Sequence, residues 1–264
     1  MSNDLGLFLR TLNERIKPEL LLERVVAGPP DDWQRKLMNS ASDIIIVLAS
    51  RRIGKSTTVG VMAGQELSKP DHQVIILSKT LPQSQLLFAK IAFTWEKMGL
   101  PIEAKRRTMT ELHLKNGSSV VCVPAGQNGE QARGYGVKNG LLIYDEAAFI
   151  PDDVFGSTLS IAEDNAKTIL ITTPGGKSGK AYEMWSDWEM YPEVERIRAC
   201  SLDLPRMAKL VASQRKVLSK FEFGVEHGLN WMGRGQQFFD SAAIAAAFTD
   251  TPQLRLGDLY AGLG

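Results

Sequence analysis

The chain is poor in the features that most directly betray a protein's surroundings. It has two cysteines, Cys122 and Cys200. That is too few for a disulfide framework and fits a reducing compartment, with both residues read as small core side chains in strand-like runs. No apolar run approaches the length needed to span a membrane. Met1–Asp4 opens without the basic start and long apolar stretch of a secretory leader. Net charge is only +1, so no global field draws in nucleic acid, and any DNA contact must use local basic patches or an assembly. Internal repeats and low-complexity tracts are absent as well. What remains is an ordinary globular composition, 44% hydrophobic and 23% charged over 264 residues. That length suits one large α/β domain with a small appended subdomain.

The most informative stretch is Ala49-Ser50-Arg51-Arg52-Ile53-Gly54-Lys55-Ser56-Thr57. It follows the apolar run 44–48 and opens a helix-compatible segment, 55–67. Strand, tight loop and helix in that order form a P-loop, whose backbone N–H groups and helix N-terminus favour phosphate. Lys55 is expected to reach the β/γ-phosphates, and the Ser56 hydroxyl to ligate Mg²⁺. The usual first glycine of the motif is Ala49 here. The plain alternative is a surface turn before a helix.

Downstream, Gly140–Asp145 reads as a buried strand ending in Asp145-Glu146. Ligands of open α/β sheets bind beyond the C-terminal strand ends, the edge on which the P-loop also lies. Asp145 is placed to hold Mg²⁺ and Glu146 to polarise an attacking water, against the alternative of an acidic cap for the next segment. A further strand, 168–173, ends in Thr172-Thr173-Pro174, whose hydroxyls could sense a γ-phosphate or merely form a strand-end turn. Upstream, Asp31 or Asp32 can cap a short helix, 33–39, carrying Gln34. That amide can both donate to and accept from adenine, or be an exposed helix glutamine.

The remaining pattern alternates strands and helices. Helices are expected over 5–17, 18–25, 83–98, 151–163, 178–190 and 205–221, with strands at 74–77 and 194–199. Asn116-Gly117 between 111–114 and 119–123 signals a hairpin. The Gly-rich loop 124–136 carries Arg133, either delivered toward a nucleotide or simply solvated. Strand–helix alternation implies a mostly parallel sheet flanked by helices. The expected division is a core over 1–200 and a lid and linker over 201–264. Lys105-Arg106-Arg107 and the basic residues of 205–221 (Arg206, Lys209, Arg215, Lys216, Lys220) are candidate DNA contacts or plain solvated surface.

From about Gln34 to Phe239 this ordered set resembles the ATPase half of large terminase subunits, the motors that package viral DNA into a procapsid. Ser50-Arg51-Arg52-Ile53-Gly54-Lys55-Ser56 is similar to that family's odd P-loop, which lacks the first glycine and carries Ser-Arg. Asp145-Glu146-Ala147-Ala148 looks like its Walker B ending, and Thr172-Thr173-Pro174 like its coupling motif. The resemblance implies a RecA-like ATPase fold and Mg²⁺-dependent ATP hydrolysis coupled to movement of double-stranded DNA. It implies that Arg51 lies near the γ-phosphate in cis and that Arg133 is an arginine finger reaching a neighbouring subunit. Gln34 is similar in placement to the adenine-reading glutamine. Portal protein and a small terminase subunit are implied as partners, with a homo-oligomeric ring as the working form and no membrane. The cytoplasm of an infected host cell is implied as the location. Leu259–Gly264 looks like the first strand of the family's nuclease, stopping before the expected aspartate, so no nuclease activity is expected. The rival readings are a superfamily-2-like helicase, which calls for a second motor domain, and an assembly subunit that binds nucleotide without turnover.

Overall fold

In the computed structural model, residues 18–26, 28–98, 102–124 and 135–233 are described. The expected helix over 5–17, most of the Gly-rich loop with Arg133, and everything after Gly233 lie outside them. Residues up to Trp231 form one compact unit and Met232–Gly264 a second. The first unit is built on an eight-stranded sheet of order β3-β4-β5-β2-β6-β7-β1-β8. Its strands are β1 (Ile44–Ala49), β2 (Gln73–Ser78), β3 (Ala104–Arg107), β4 (Glu111–Leu114), β5 (Ser119–Pro124), β6 (Val137–Asp145), β7 (Ala162–Thr172) and β8 (Val194–Ala199). β5, β2, β6, β7, β1 and β8 pair in parallel, while β4 runs antiparallel to both β5 and β3 at one edge.

A parallel sheet covered on both faces needs strands that are apolar throughout, because alternate side chains enter opposite layers. β1 does this: Ile45, Val47 and Ala49 join one core cluster, Ile46 the other. β2 and β6 split in the same way, with Val74, Ile76, Leu141 and Ile143 on the first face and Ile75, Leu77, Leu142 and Tyr144 on the second. The first face is covered by α1 (Pro18–Val26), α2 (Asp32–Met38), α3 (Lys55–Leu67) and α4 (Leu81–Met98). α5 (Asp152–Thr158) and α6 (Lys180–Ser186) cover the second. α1, whose docking partner the pattern left unnamed, packs on α2, α3 and α4.

Several expected boundaries move, each for a local reason. The helix after Pro151 ends at Thr158 rather than near 163, and β7 starts at Ala162 rather than 168. The polar run 162–167 is recruited by backbone pairing with the first half of β6. α6 stops at Ser186, well short of 190. The buried Arg196 guanidinium takes up the carbonyls of Trp185, Asp187, Tyr191 and Val194, which holds the chain in a turn instead. The single helix expected over 205–221 is a 3₁₀ turn (Pro205–Met207), α7 (Ala208–Gln214) and α8 (Lys220–Glu226). Ser219 starts α8 with a reciprocal cap: Glu222 N–H donates to its hydroxyl at 3.2 Å, and its own N–H donates to the Glu222 carboxylate at 2.9 Å. The Asn116-Gly117 hairpin is present with a four-residue turn, because the Asn116 amide is drawn aside to the Leu67 and Lys69 carbonyls at the end of α3. Cys122 lies in β5, where burial pushes its thiol to about 12, whereas buried Cys200 follows β8.

Candidate functional site

Strand order brings the three polar motifs together. β7 lies between β1 and β6, and the register pairs Leu48 with Thr172 and Asp145 with Ile171. The phosphate loop after β1, Asp145-Glu146 after β6 and Thr172-Thr173 after β7 therefore emerge side by side at one sheet edge.

The loop Ser50–Gly54 turns through two left-handed residues, Arg52 (φ 62°) and Gly54 (φ 100°), the second capping α3. Left-handed backbone strains most residues, which explains the glycine at 54. Ser50 and Ile53 point inward, both fully buried, while Arg51 and Arg52 face solvent. Lys55, the first residue of α3, is buried, and its ammonium lies 3.3 Å from the Glu146 carboxylate. Burial pulls the Lys55 pKa down against the opposing pull of Glu146.

Glu146 occupies a left-handed backbone position (φ 52°) that lifts its side chain back toward the loop. Its Oε2 accepts hydrogen bonds from both the N–H and the hydroxyl of Thr173, each at 2.9 Å. Burial by itself would raise the Glu146 pKa; Lys55 and the two Thr173 donors outweigh it and hold the carboxylate ionised, below its ordinary range. The Thr172 hydroxyl accepts from Ala148 N–H at 3.0 Å and donates to the Thr173 carbonyl at 2.7 Å. Thr173 is thus bonded to the Glu146 carboxylate itself, and Thr172 to the backbone N–H of Ala148, two residues further on.

Asp145 is desolvated, and burial, reinforced by the neighbouring Glu146 charge, pushes its pKa up to about 6. Among the described residues nothing engages the Ser56 hydroxyl, and no group of three or more His, Cys, Asp or Glu side chains forms a metal cage. One hydroxyl and one carboxylate suit Mg²⁺, which keeps several waters and takes its remaining ligands from phosphates. A cation there must displace the Asp145 proton below pH 6. For Mg²⁺ held by Asp145, affinity is expected to fall about tenfold per pH unit below about pH 6 and to be insensitive to this group above it. Mg²⁺ titrations of nucleotide binding at pH 5.0–7.5 check this; equal half-saturation at both ends would refute it. The same raised pKa means that Asp145 lowers the stability of the ligand-free protein as pH rises from about 4 to about 6.

The remaining expected residues fall into place unevenly. Gln34 is 5% exposed, not a surface glutamine. Its Oε1 accepts from Asp31 N–H at 2.8 Å, and its NH₂ donates to the Thr58 hydroxyl at 2.8 Å, next to the loop. Arg51 pairs with Glu226 at the end of α8, Nε to Oε2 at 3.1 Å. Thr57 is half-buried in the first turn of α3. Arg133 lies outside the described residues. The basic strand β3 is exposed, with Arg106 and Arg107 paired to Glu111 and Glu96. No motif pointed to His227, buried and 177 residues from Ser50. Its carbonyl accepts the Ser50 hydroxyl at 3.1 Å, and its Nδ1 lies 2.7 Å from the Ser201 hydroxyl. No spacing rule links such distant positions.

A phosphate loop and paired carboxylates on the C-terminal edge of a parallel sheet define a P-loop nucleotide-binding α/β domain of RecA-like type. The chain belongs to the family described as terminase large subunit, T4likevirus-type, N-terminal, whose profile matches residues 46–255. Among solved structures it resembles the ATPase domain of the large terminase of Thermus phage P74-26, with a TM-score of 0.66 and 22% identity over 80% of this chain and 97% of that one. It also resembles the large terminase of another thermophilic bacteriophage, solved in complex with ADP, with a TM-score of 0.64 and 14% identity over 77% of this chain and 54% of that one. The HK97 bacteriophage large terminase matches with a TM-score of 0.63 and 14% identity over 83% of this chain and 55% of that one. The chain thus spans about half the length of the last two proteins. Among curated proteins none matches it in sequence.

Proposed function

We propose that the chain hydrolyses ATP with Mg²⁺ and couples turnover to translocation of double-stranded DNA into a viral procapsid. The observation that carries this reading is the Lys55–Glu146–Thr173 cluster beside the phosphate loop. Loop amides and Lys55 bind the phosphates, while Ser56 and Asp145 hold the cation, which neutralises phosphate charge when bound. Glu146, kept ionised by Lys55 and Thr173, takes a proton from the attacking water. Phosphate oxygens compete with Glu146 for the Lys55 ammonium, so nucleotide binding frees the carboxylate for this task. Gln34 reads the base, and Arg51 and Arg133 supply further charge at the γ-phosphate. Residues from 201 onward act as the lid and linker. Portal protein and a small terminase subunit are the partners, a homo-oligomeric ring in the host cytoplasm is the working form, and no membrane is involved. Among the described residues no helix is long and apolar enough to cross one.

The direct test is Mg²⁺-dependent phosphate release from ATP, alone and with duplex DNA and portal-bearing procapsids. Nucleotide binding without turnover in every condition would sink the proposal. Arg133 is assigned a role in trans because its loop is rich in glycine. Mixing Arg133→Ala with Glu146→Gln chains should then restore activity that neither has alone; failure to do so where wild type is active would remove that role.

A further inference from the structure

We infer that Arg206, from the segment after β8, is a positioning residue that sets the phosphate loop for nucleotide; this rests on the reading above that the loop binds phosphate. Arg206 belongs to the basic run read as a candidate DNA contact, yet its guanidinium is committed elsewhere. Nε lies 3.1 Å from each carboxylate oxygen of Asp31. Nη2 donates both to Asp31 Oδ2 and to the Ile53 carbonyl, the latter at 2.7 Å. Ile53 is the loop residue immediately before Gly54. In a trans peptide the C=O and the following N–H point in opposite directions. Gripping the Ile53 carbonyl from outside therefore aims the Gly54 N–H into the loop.

The next peptide is held in the same way. The Gly54 carbonyl accepts from the Thr58 hydroxyl at 3.1 Å and from Thr58 N–H at 3.0 Å, which aims the Lys55 N–H. Thr58 is in turn bonded by Gln34, and Gln34 by the Asp31 N–H. Asp31 meets the Arg206 fork, so a closed collar runs Arg206–Asp31–Gln34–Thr58–Gly54 and returns to Arg206 through the Ile53 peptide. It orients two successive amides that a phosphate cradle requires. Only a planar, multidentate guanidinium satisfies a carboxylate and a carbonyl at once; a lysine can replace the charge but not the fork.

The test uses the whole chain, with MgADP and MgATP as probes. Arg206→Ala is expected to weaken MgADP binding about tenfold, the worth of one charge-assisted hydrogen bond, and to raise KM for ATP by a similar factor while kcat changes less than threefold. Arg206→Lys should recover only part of the loss. Asp31→Asn, which loosens the same fork without touching Arg206, should weaken MgADP several-fold, and serves if Arg206→Ala fails to fold. Lys216→Ala, an exposed basic residue of the same segment, should leave nucleotide binding unchanged. If Arg206→Ala binds MgADP within twofold of wild type, or loses duplex-DNA affinity instead, the inference is overturned while the functional reading stands. A wild-type chain that binds no nucleotide overturns both.

Discussion

Glu146→Gln is expected to slow ATP turnover by about 10²–10⁴-fold while nucleotide binding is kept or tightened. The substitution preserves shape and leaves the two Thr173 donors an oxygen to bind. What it removes is the ionised group that takes up a proton. It also removes the negative rival for Lys55, so phosphates meet an ammonium with no competing carboxylate. Single-turnover hydrolysis with pre-bound MgATP, alongside MgADP titration, separates the two effects. Turnover within threefold of wild type would assign the proton transfer to another residue. Because the folded carboxylate has a depressed pKa, its contribution to stability is present above the ordinary glutamate range and is lost as pH falls through the folded value. The Gln variant should show none of that loss.

Lys55→Ala is expected to cost about 10²–10³-fold in turnover, as for loss of one preorganised charge donor, together with weaker nucleotide binding. Its stability effect is the more diagnostic. The ammonium is desolvated, and its partner carboxylate stays ionised only because Lys55 and Thr173 outweigh burial. Deleting the cation leaves Glu146 held by Thr173 alone, a loss of about 1–3 kcal/mol. The double variant Lys55→Ala/Glu146→Ala should recover stability without recovering turnover. Thermal melts of both single variants and the double complete the cycle. Single-variant losses that simply add up to the loss of the double would show that the pair carries no structural coupling.

Much of the site was legible because its signals are local. The Ser50–Ser56 loop and the Asp145-Glu146 strand end each combine a short motif with a neighbouring apolar run, and a buried parallel strand must be apolar throughout. Boundaries were less legible where a distant group intervenes. Arg196 ends α6 by capturing carbonyls, and pairing with β6 lengthens β7 into a polar run. Arg206 shows the same limit, since a basic residue on a polar segment reads as surface whether or not an aspartate 175 positions away receives it.

The amino-acid order alone determined the class of sheet, the residues of the candidate site and the edge at which they sit, because each depends on side-chain type and short spacing. The tertiary structure decided which groups meet there. It sets Thr173 on Glu146, Glu226 against Arg51, and Arg206 on the loop carbonyl. Those contacts follow from strand order and from where the chain returns after β8, and a one-dimensional pattern carries no distance between residues so far apart.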